Sequence, residues 1–98
     1  MKLMISQPMK GKTTEQIVSE RADLIRELEA EGHDVIDTVF AEGTPYGNQA
    51  IYYLSKSIEA MGKADGVVFM RGWEKARGCK IEHEIATAYG LFVRELGE

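Results

Sequence analysis

The sequence predicts a small α/β domain of three layers, with a parallel sheet of three to four strands in flavodoxin-like order. Three observations predict it. Short apolar runs at 2–5 ("KLMI"), 33–40 ("HDVIDTVF") and 65–70 ("DGVVFM") read as strands. Amphipathic stretches of helical period separate these runs, and strands alternating with helices imply a parallel sheet with right-handed crossovers. The run at 65–70 is nearly continuous in apolar character, as a strand buried on both faces is. A chain of 98 residues suits one domain spanning 1–98 with one core.

The elements follow in order. After the first strand, Thr13 opens a helix, and Gln16 three residues later completes a capping box. Ile17, Val18, Ala22, Ile25 and Leu28 form its apolar stripe, with Glu20, Arg21, Glu27 and Glu31 on the other face. Gly32 ends it, and His33 and Asp34 connect it to the second strand as structural residues. The segment "AEGTPYGN" at 41–48 is rich in turn residues. A second helix runs from about Asn48 to Met61, striped by Ile51, Leu54, Ile58 and Met61, and Gly62 stops it. The third strand leads through "RGWEKARG" (71–78) into a third helix near 79–90. The closing run "LFVREL" (91–96) fits an edge strand and a helix equally well.

Composition narrows the function. A net charge of -4 argues against binding to a nucleic-acid polymer, which calls for a basic stripe. No stretch reaches the roughly 18 apolar residues of a membrane helix, and "MKLMISQP" holds too short an apolar run for a signal peptide. The single cysteine forms no internal disulfide, so a reducing cytoplasm is the expected compartment.

Open parallel sheets bind ligands at the carboxyl ends of their strands, near a switch in strand order. That gathers three loops, at 6–13, about 38–48, and 71–79. In the first, Gly11, Lys12 and Thr13 match the tail of a phosphate-cradling P-loop. The position of its first glycine is Ser6, however, and Pro8 removes a backbone donor from the middle of the cradle. The loop is therefore not read as a P-loop.

The third helix carries the most informative residue. At about 100° per residue, Ile81, Ile85, Ala86, Ala88 and Tyr89 share one half of the cylinder, and Glu82 is the one charged side chain among them. A carboxylate on a core-facing arc loses solvation and needs compensation. Two readings stand: a buried structural carboxylate held by a neighbouring loop, or a site carboxylate facing the crevice.

Three segments, "ISQPMKG" (5–11), "LSKSIEAMGKADGVVFM" (54–70) and "GWEKARGCKIEHEIATAYGL" (72–91), resemble the nucleoside 2-deoxyribosyltransferase-like superfamily, in particular its small uncharacterised DUF4406-like branch of bacterial and phage proteins. The family's transferases carry a Gly-Thr-x-x-Glu-x-Gly-x-Ala segment whose glutamate is the nucleophile. Gly78, Cys79, Lys80, Ile81, Glu82 and Ala86 fall on it, so the resemblance puts Glu82 on the catalytic glutamate. It implies cleavage or transfer of the N-glycosidic bond of a nucleoside or nucleoside 5′-monophosphate, without metal or other cofactor. Such a bond breaks through an oxocarbenium-like transition state that a carboxylate stabilises or captures. The first loop would then hold sugar or phosphate through Ser6, Gln7, the backbone of Gly11 and Thr13 at a helix N-terminus, and the charges of Lys10 and Lys12. The chain departs from the transferases at Ala76 and Ser57, where aspartates are usual, and at Glu84 in place of the second glycine. The alternative is a non-catalytic module that binds or sequesters a nucleotide-derived ligand. The shortness of the chain, and family sites built across subunits, lead to the expectation of a homodimer or larger homo-oligomer.

Other residues are weighed beside these. Asp65 caps the third strand or joins the site. Arg71 and Trp73 lie just beyond that strand, where a guanidinium holds phosphate or an aromatic stacks on a base; covering the sheet edge is the alternative for Trp73. Cys79 at a helix start is a candidate for a lowered pKa. Tyr46, Tyr52 and Tyr53 line a base pocket or simply pack. Glu82, His83 and Glu84 are adjacent on a helix and point around it, so they do not converge on a metal.

Overall fold

The structure, a computed structural model, describes residues 1–38 and 47–97. In chain order they form β1 (Lys2–Ser6), α1 (Thr14–Ala30), β2 (Asp34–Ile36), α2 (Gln49–Met61), β3 (Gly66–Phe69), a 3₁₀ turn (Trp73–Lys75), α3 (Arg77–Ala88) and β4 (Phe92–Glu95). The strands make one four-stranded parallel sheet of order β2-β1-β3-β4, the expected flavodoxin-like order. The ambiguous run at 91–96 supplies its fourth strand: Val67 pairs with Val93, and the Val93 side chain packs against the core. Within the second strand-like run, the strand itself is Asp34–Ile36; Val39, Phe40 and Tyr46 lie outside the described residues.

The pleat sorts side chains between two layers. Leu3, Ile5 and Val68 point to one face and close on Leu24 and Leu28 of α1. Met4, Val67 and Phe69 point to the other, against Ala60 and Met61 of α2 and Ala86 of α3. Helices therefore cover both faces, as a parallel sheet requires. Local chemistry ends α1 as expected. Thr13 and Gln16 form the reciprocal capping box. At the other end Gly32, with φ of +94°, lets its own N–H reach Glu29 O and the His33 N–H reach Leu28 O at 3.0 Å each.

Three helix faces are rotated from the expected ones. On α1 the buried residues are Arg21, Leu24 and Leu28, while Val18 is exposed. Arg21 was placed on the polar face because it is charged, yet it precedes Leu24 and Leu28 by three and seven positions and shares their arc. On α3 the inward line is Cys79, Glu82 and Ala86, and Tyr89 is 81% exposed. Small residues let α3 approach the sheet closely, so Ile81 and Tyr89 turn to the rim. On α2, Ala60 and Met61 are buried while Ile51 and Ile58 remain exposed. Among the described residues, no helix is long and apolar enough to cross a membrane.

Candidate functional site

The chain leaves β1 for α1 on one face of the sheet and β3 for α3 on the other. The loops after these adjacent strands diverge, opening a crevice at their carboxyl ends. It is a cleft of about 910 Å³. Ser6, Gln7, Cys79 and Glu82 lie at its base; Lys10 and Lys12 come from the β1–α1 loop. Ala50, Tyr53, Leu54 and Ser57 of α2 form one wall, and Lys75 to Gly78 another.

Glu82 is only 6% exposed and borders this cleft. Its carboxylate accepts a hydrogen bond of 2.6 Å from Ser6 Oγ. Burial pushes the Glu82 carboxyl above the ordinary carboxylate range, opposed by hydrogen bonds from the Ser6 and Ser57 hydroxyls. The result is a carboxylate held by neutral donors at the base of an open cleft, a suitable position for attack on an electrophilic carbon. Ser57 faces the same carboxylate from α2. Among the described residues lining the cleft, Glu82 is the one acid.

Cys79 does not have the lowered pKa that its helix-start position led us to expect. It is buried, and that burial pushes the thiol up, with Ser6 opposing through a hydrogen bond and the Glu82 charge adding to the rise. A shift in this direction disfavours the thiolate, the nucleophilic form.

The structure brings together Ser6, Gln7, Lys10, Lys12, Gly78 and Glu82 at the cleft. It does not bring the others there. Thr13 caps α1 through its hydroxyl, and Gly11, with φ of +79°, turns the loop; neither borders the cleft. Asp65 lies at the amino end of the sheet, where its carboxylate accepts from Lys2 N at 2.7 Å. The residue just before a strand sits at the edge opposite the crevice, so Asp65 lies away from the cleft. Arg71 donates to Gly97 O at 3.3 Å. Trp73 stacks on His83, with ring centroids 4.2 Å apart and planes 14° apart, and packs on Phe69. It thereby covers the core beside β3, with one ring face taken by His83. His83 in turn meets Glu95 Oε2 at 2.6 Å, so the stack is tied to the edge strand.

Tyr53 borders the cleft, whereas Tyr52 faces a separate outer depression with Ile51. Lys75, Arg77 and Thr38 also border the cleft and were not singled out from the sequence. The signal for the first two was their place just before Gly78 in the loop that follows β3. Lys10, Lys75 and Arg77 make no ion pair among the described residues, whereas Lys12 meets Glu20 Oε1 at 2.9 Å. The mouth of the cleft is thus basic in a chain of net charge -4. Among the described residues no group of three or more His, Cys, Asp or Glu side chains is placed to hold a metal ion.

Fold and site together define a doubly wound α/β domain with a buried carboxylate at its switch-point cleft. Residues 1–95 match the family model of a domain of unknown function, DUF4406, and the chain belongs to that family. No curated protein matches it significantly.

Proposed function

We propose that this protein binds a nucleoside or nucleoside 5′-monophosphate in the cleft and cleaves or transfers its N-glycosidic bond, with Glu82 as nucleophile. The observation that carries the reading is Glu82 itself: a carboxylate 6% exposed, bordering a cleft of about 910 Å³ and held by Ser6 at 2.6 Å. In the proposed reaction the ionised carboxylate attacks the anomeric carbon as the C–N bond breaks, and the base departs with the bonding electron pair and takes a proton from solvent. Water, or a second base, then releases the glycosyl ester and restores the carboxylate. Tyr53, Leu54 and Ala50 offer the base an apolar wall, and Lys10, Lys75 and Arg77 suit a phosphate at the mouth.

One observation favours the second reading, a module that binds and sequesters a nucleotide-derived ligand. Glycosidic enzymes commonly use a pair of carboxyl groups, and Glu82 has no acidic companion among the described cleft residues. The test is base release from a panel of nucleosides and their 5′-monophosphates, with Glu82→Gln run beside the wild type. Release lost in the variant supports the enzyme. Saturable binding without release supports the module. Neither binding nor release from any member of the panel overturns both.

We place the protein in the cytoplasm, where its buried thiol stays reduced, and in a homodimer or larger assembly. The exposed Ile51 and Ile58 on the outside of α2 support the latter. Sedimentation showing only the monomer at micromolar concentration would overturn it.

A further inference from the structure

Arg21 is a buried cation with a particular set of partners. It is 3% exposed on α1. Its Nε donates to Gln7 Oε1 at 3.0 Å, and its Nη2 donates to Thr38 Oγ1 at 3.1 Å. Gln7 and Thr38 both border the cleft, on the segments that follow β1 and β2. Thr38 in turn donates to Ile5 O at 3.3 Å, tying the end of β2 back to β1. Among the described residues, Asp37 is the carboxylate that approaches the guanidinium, at 3.7 Å, and it is largely solvent-exposed.

The other end of the Gln7 amide is fixed too. Its Nε2 donates to Ile17 O at 2.9 Å and to Glu20 Oε1 at 3.1 Å, and Glu20 accepts from Lys12 Nζ at 2.9 Å. A flip of the amide would turn its NH₂ toward the guanidinium, donor against donor. One chain of bonds therefore runs from Arg21 through Gln7 and Glu20 to Lys12, and a second runs from Arg21 to Thr38. Burying a guanidinium is costly, and an apolar side chain at this place on α1 would pack beside Leu24 without that cost. The donor fork serves what apolar packing does not: it holds two cleft-bordering side chains from two different segments.

We propose that Arg21 is a positioning residue, which sets the orientation of Gln7 and Thr38 and hence the shape of the cleft where ligand binds. The inference rests on the functional reading above only in taking the cleft as the ligand site. A residue acting this way changes affinity more than chemistry, because Glu82 is held by other partners. A merely structural residue changes the folded fraction, which lowers the apparent turnover and leaves KM alone.

The test uses the full chain with Arg21→Lys and Arg21→Met, the second chosen because an apolar side chain suits a buried place if lysine does not fold. The first readout needs no ligand. In wild type the Gln7 and Thr38 side chains each hold one rotamer, read from their three-bond NMR couplings, and in each folded variant these couplings average toward those of a free side chain. The second readout is kinetic, on whichever monophosphate the wild type cleaves: KM rises about tenfold or more, the effect of losing hydrogen bonds to a charged group, and kcat changes less than threefold. If the protein binds without cleaving, Kd takes the place of KM. Couplings of Gln7 and Thr38 that keep their wild-type values in both variants overturn the proposal, as does an unchanged KM or Kd in a folded variant. Should neither variant fold, Arg21→Gln, a neutral polar side chain at the same position, takes their place, and the same couplings and affinity decide. A wild type that neither binds nor cleaves any nucleotide defeats the functional reading, and the couplings alone then decide the role of Arg21.

Discussion

Ser6 and Glu82 stand 76 positions apart in the chain and share a hydrogen bond of 2.6 Å. Ser6 is the last residue of β1, and Glu82 lies on the inward face of α3. The bond therefore joins the strand end on one side of the switch point to the helix on the other. Removing the hydroxyl leaves a buried carboxylate with one donor fewer. Ser6→Ala is expected to cost about 1–3 kcal/mol in urea unfolding. The same change raises the Glu82 pKa further, since Ser6 opposes the rise, so the acid limb of any pH–rate profile moves to higher pH. An unmoved limb would separate Glu82 from the reaction.

On the proposed function, Glu82→Gln lowers turnover by on the order of 10³-fold or more, the effect of losing a nucleophile. Its effect on stability has a definite sign. The folded protein holds the Glu82 proton more tightly than the unfolded chain, because burial raises the carboxyl above its ordinary value of 4.5. The folded state is favoured by this group below that value, and the advantage is lost as pH rises through the folded pKa. The melting temperature of Glu82→Gln should therefore exceed that of wild type at pH 7 and converge with it in acid. Thermal unfolding across pH 4 to 8 checks both ends.

The basic mouth should be read by phosphate rather than by base. Lys75→Ala with Arg77→Ala is expected to weaken binding of a nucleoside 5′-monophosphate about tenfold at low salt, by loss of hydrogen bonds to charge. Affinity for the parent nucleoside should change less than twofold. Titration calorimetry of the pair of ligands measures the difference, and added salt should narrow it.

Asp65 and Trp73 lie outside the cleft, so changing them should affect folding and not affinity. Asp65→Asn weakens the bond to Lys2 N and is expected to cost about 1 kcal/mol. Trp73→Ala removes the ring stacked on His83 and Phe69 and should cost about 3 kcal/mol. Ligand affinity per folded molecule stays within twofold in Asp65→Asn. A tenfold loss there would return Asp65 to the site.

Gly66 shows how closely β4 lies on β3. A Cβ at this position would sit 2.7 Å from Phe92 O and 2.8 Å from Phe92 Cβ. Backbone cannot move aside as a flexible side-chain tip does, so Gly66→Ala should push the edge strand away and cost about 2–3 kcal/mol. Denaturant unfolding gives the cost, and loss of amide protection at Val93 and Arg94 locates it.

The sequence by itself determined the α/β class and the ends of α1, because these rest on local signals. A Thr–Gln capping box, a glycine past the last turn and a continuous apolar run at 66–69 act within a few residues, and period identifies the longer helices, though not the short run at 91–96. It also singled out Glu82, since one carboxylate on a largely apolar arc is visible in the spacing. Only the tertiary structure decided the rest. Arg21 reads as a surface residue until Gln7 and Thr38 arrive from two other segments to satisfy its guanidinium. Asp65, Arg71 and Trp73 flank the same strand in sequence as a site residue would, yet the end of the strand that each occupies, and the neighbour that claims it, place them away from the cleft. The rotation of α3 about its axis follows from which small residue meets the sheet, Ala86 here, and that choice buries Glu82 and Cys79 while turning Tyr89 outward. Periodicity defines a stripe on a helix; the packing of the sheet beneath it defines which edge of the stripe is buried.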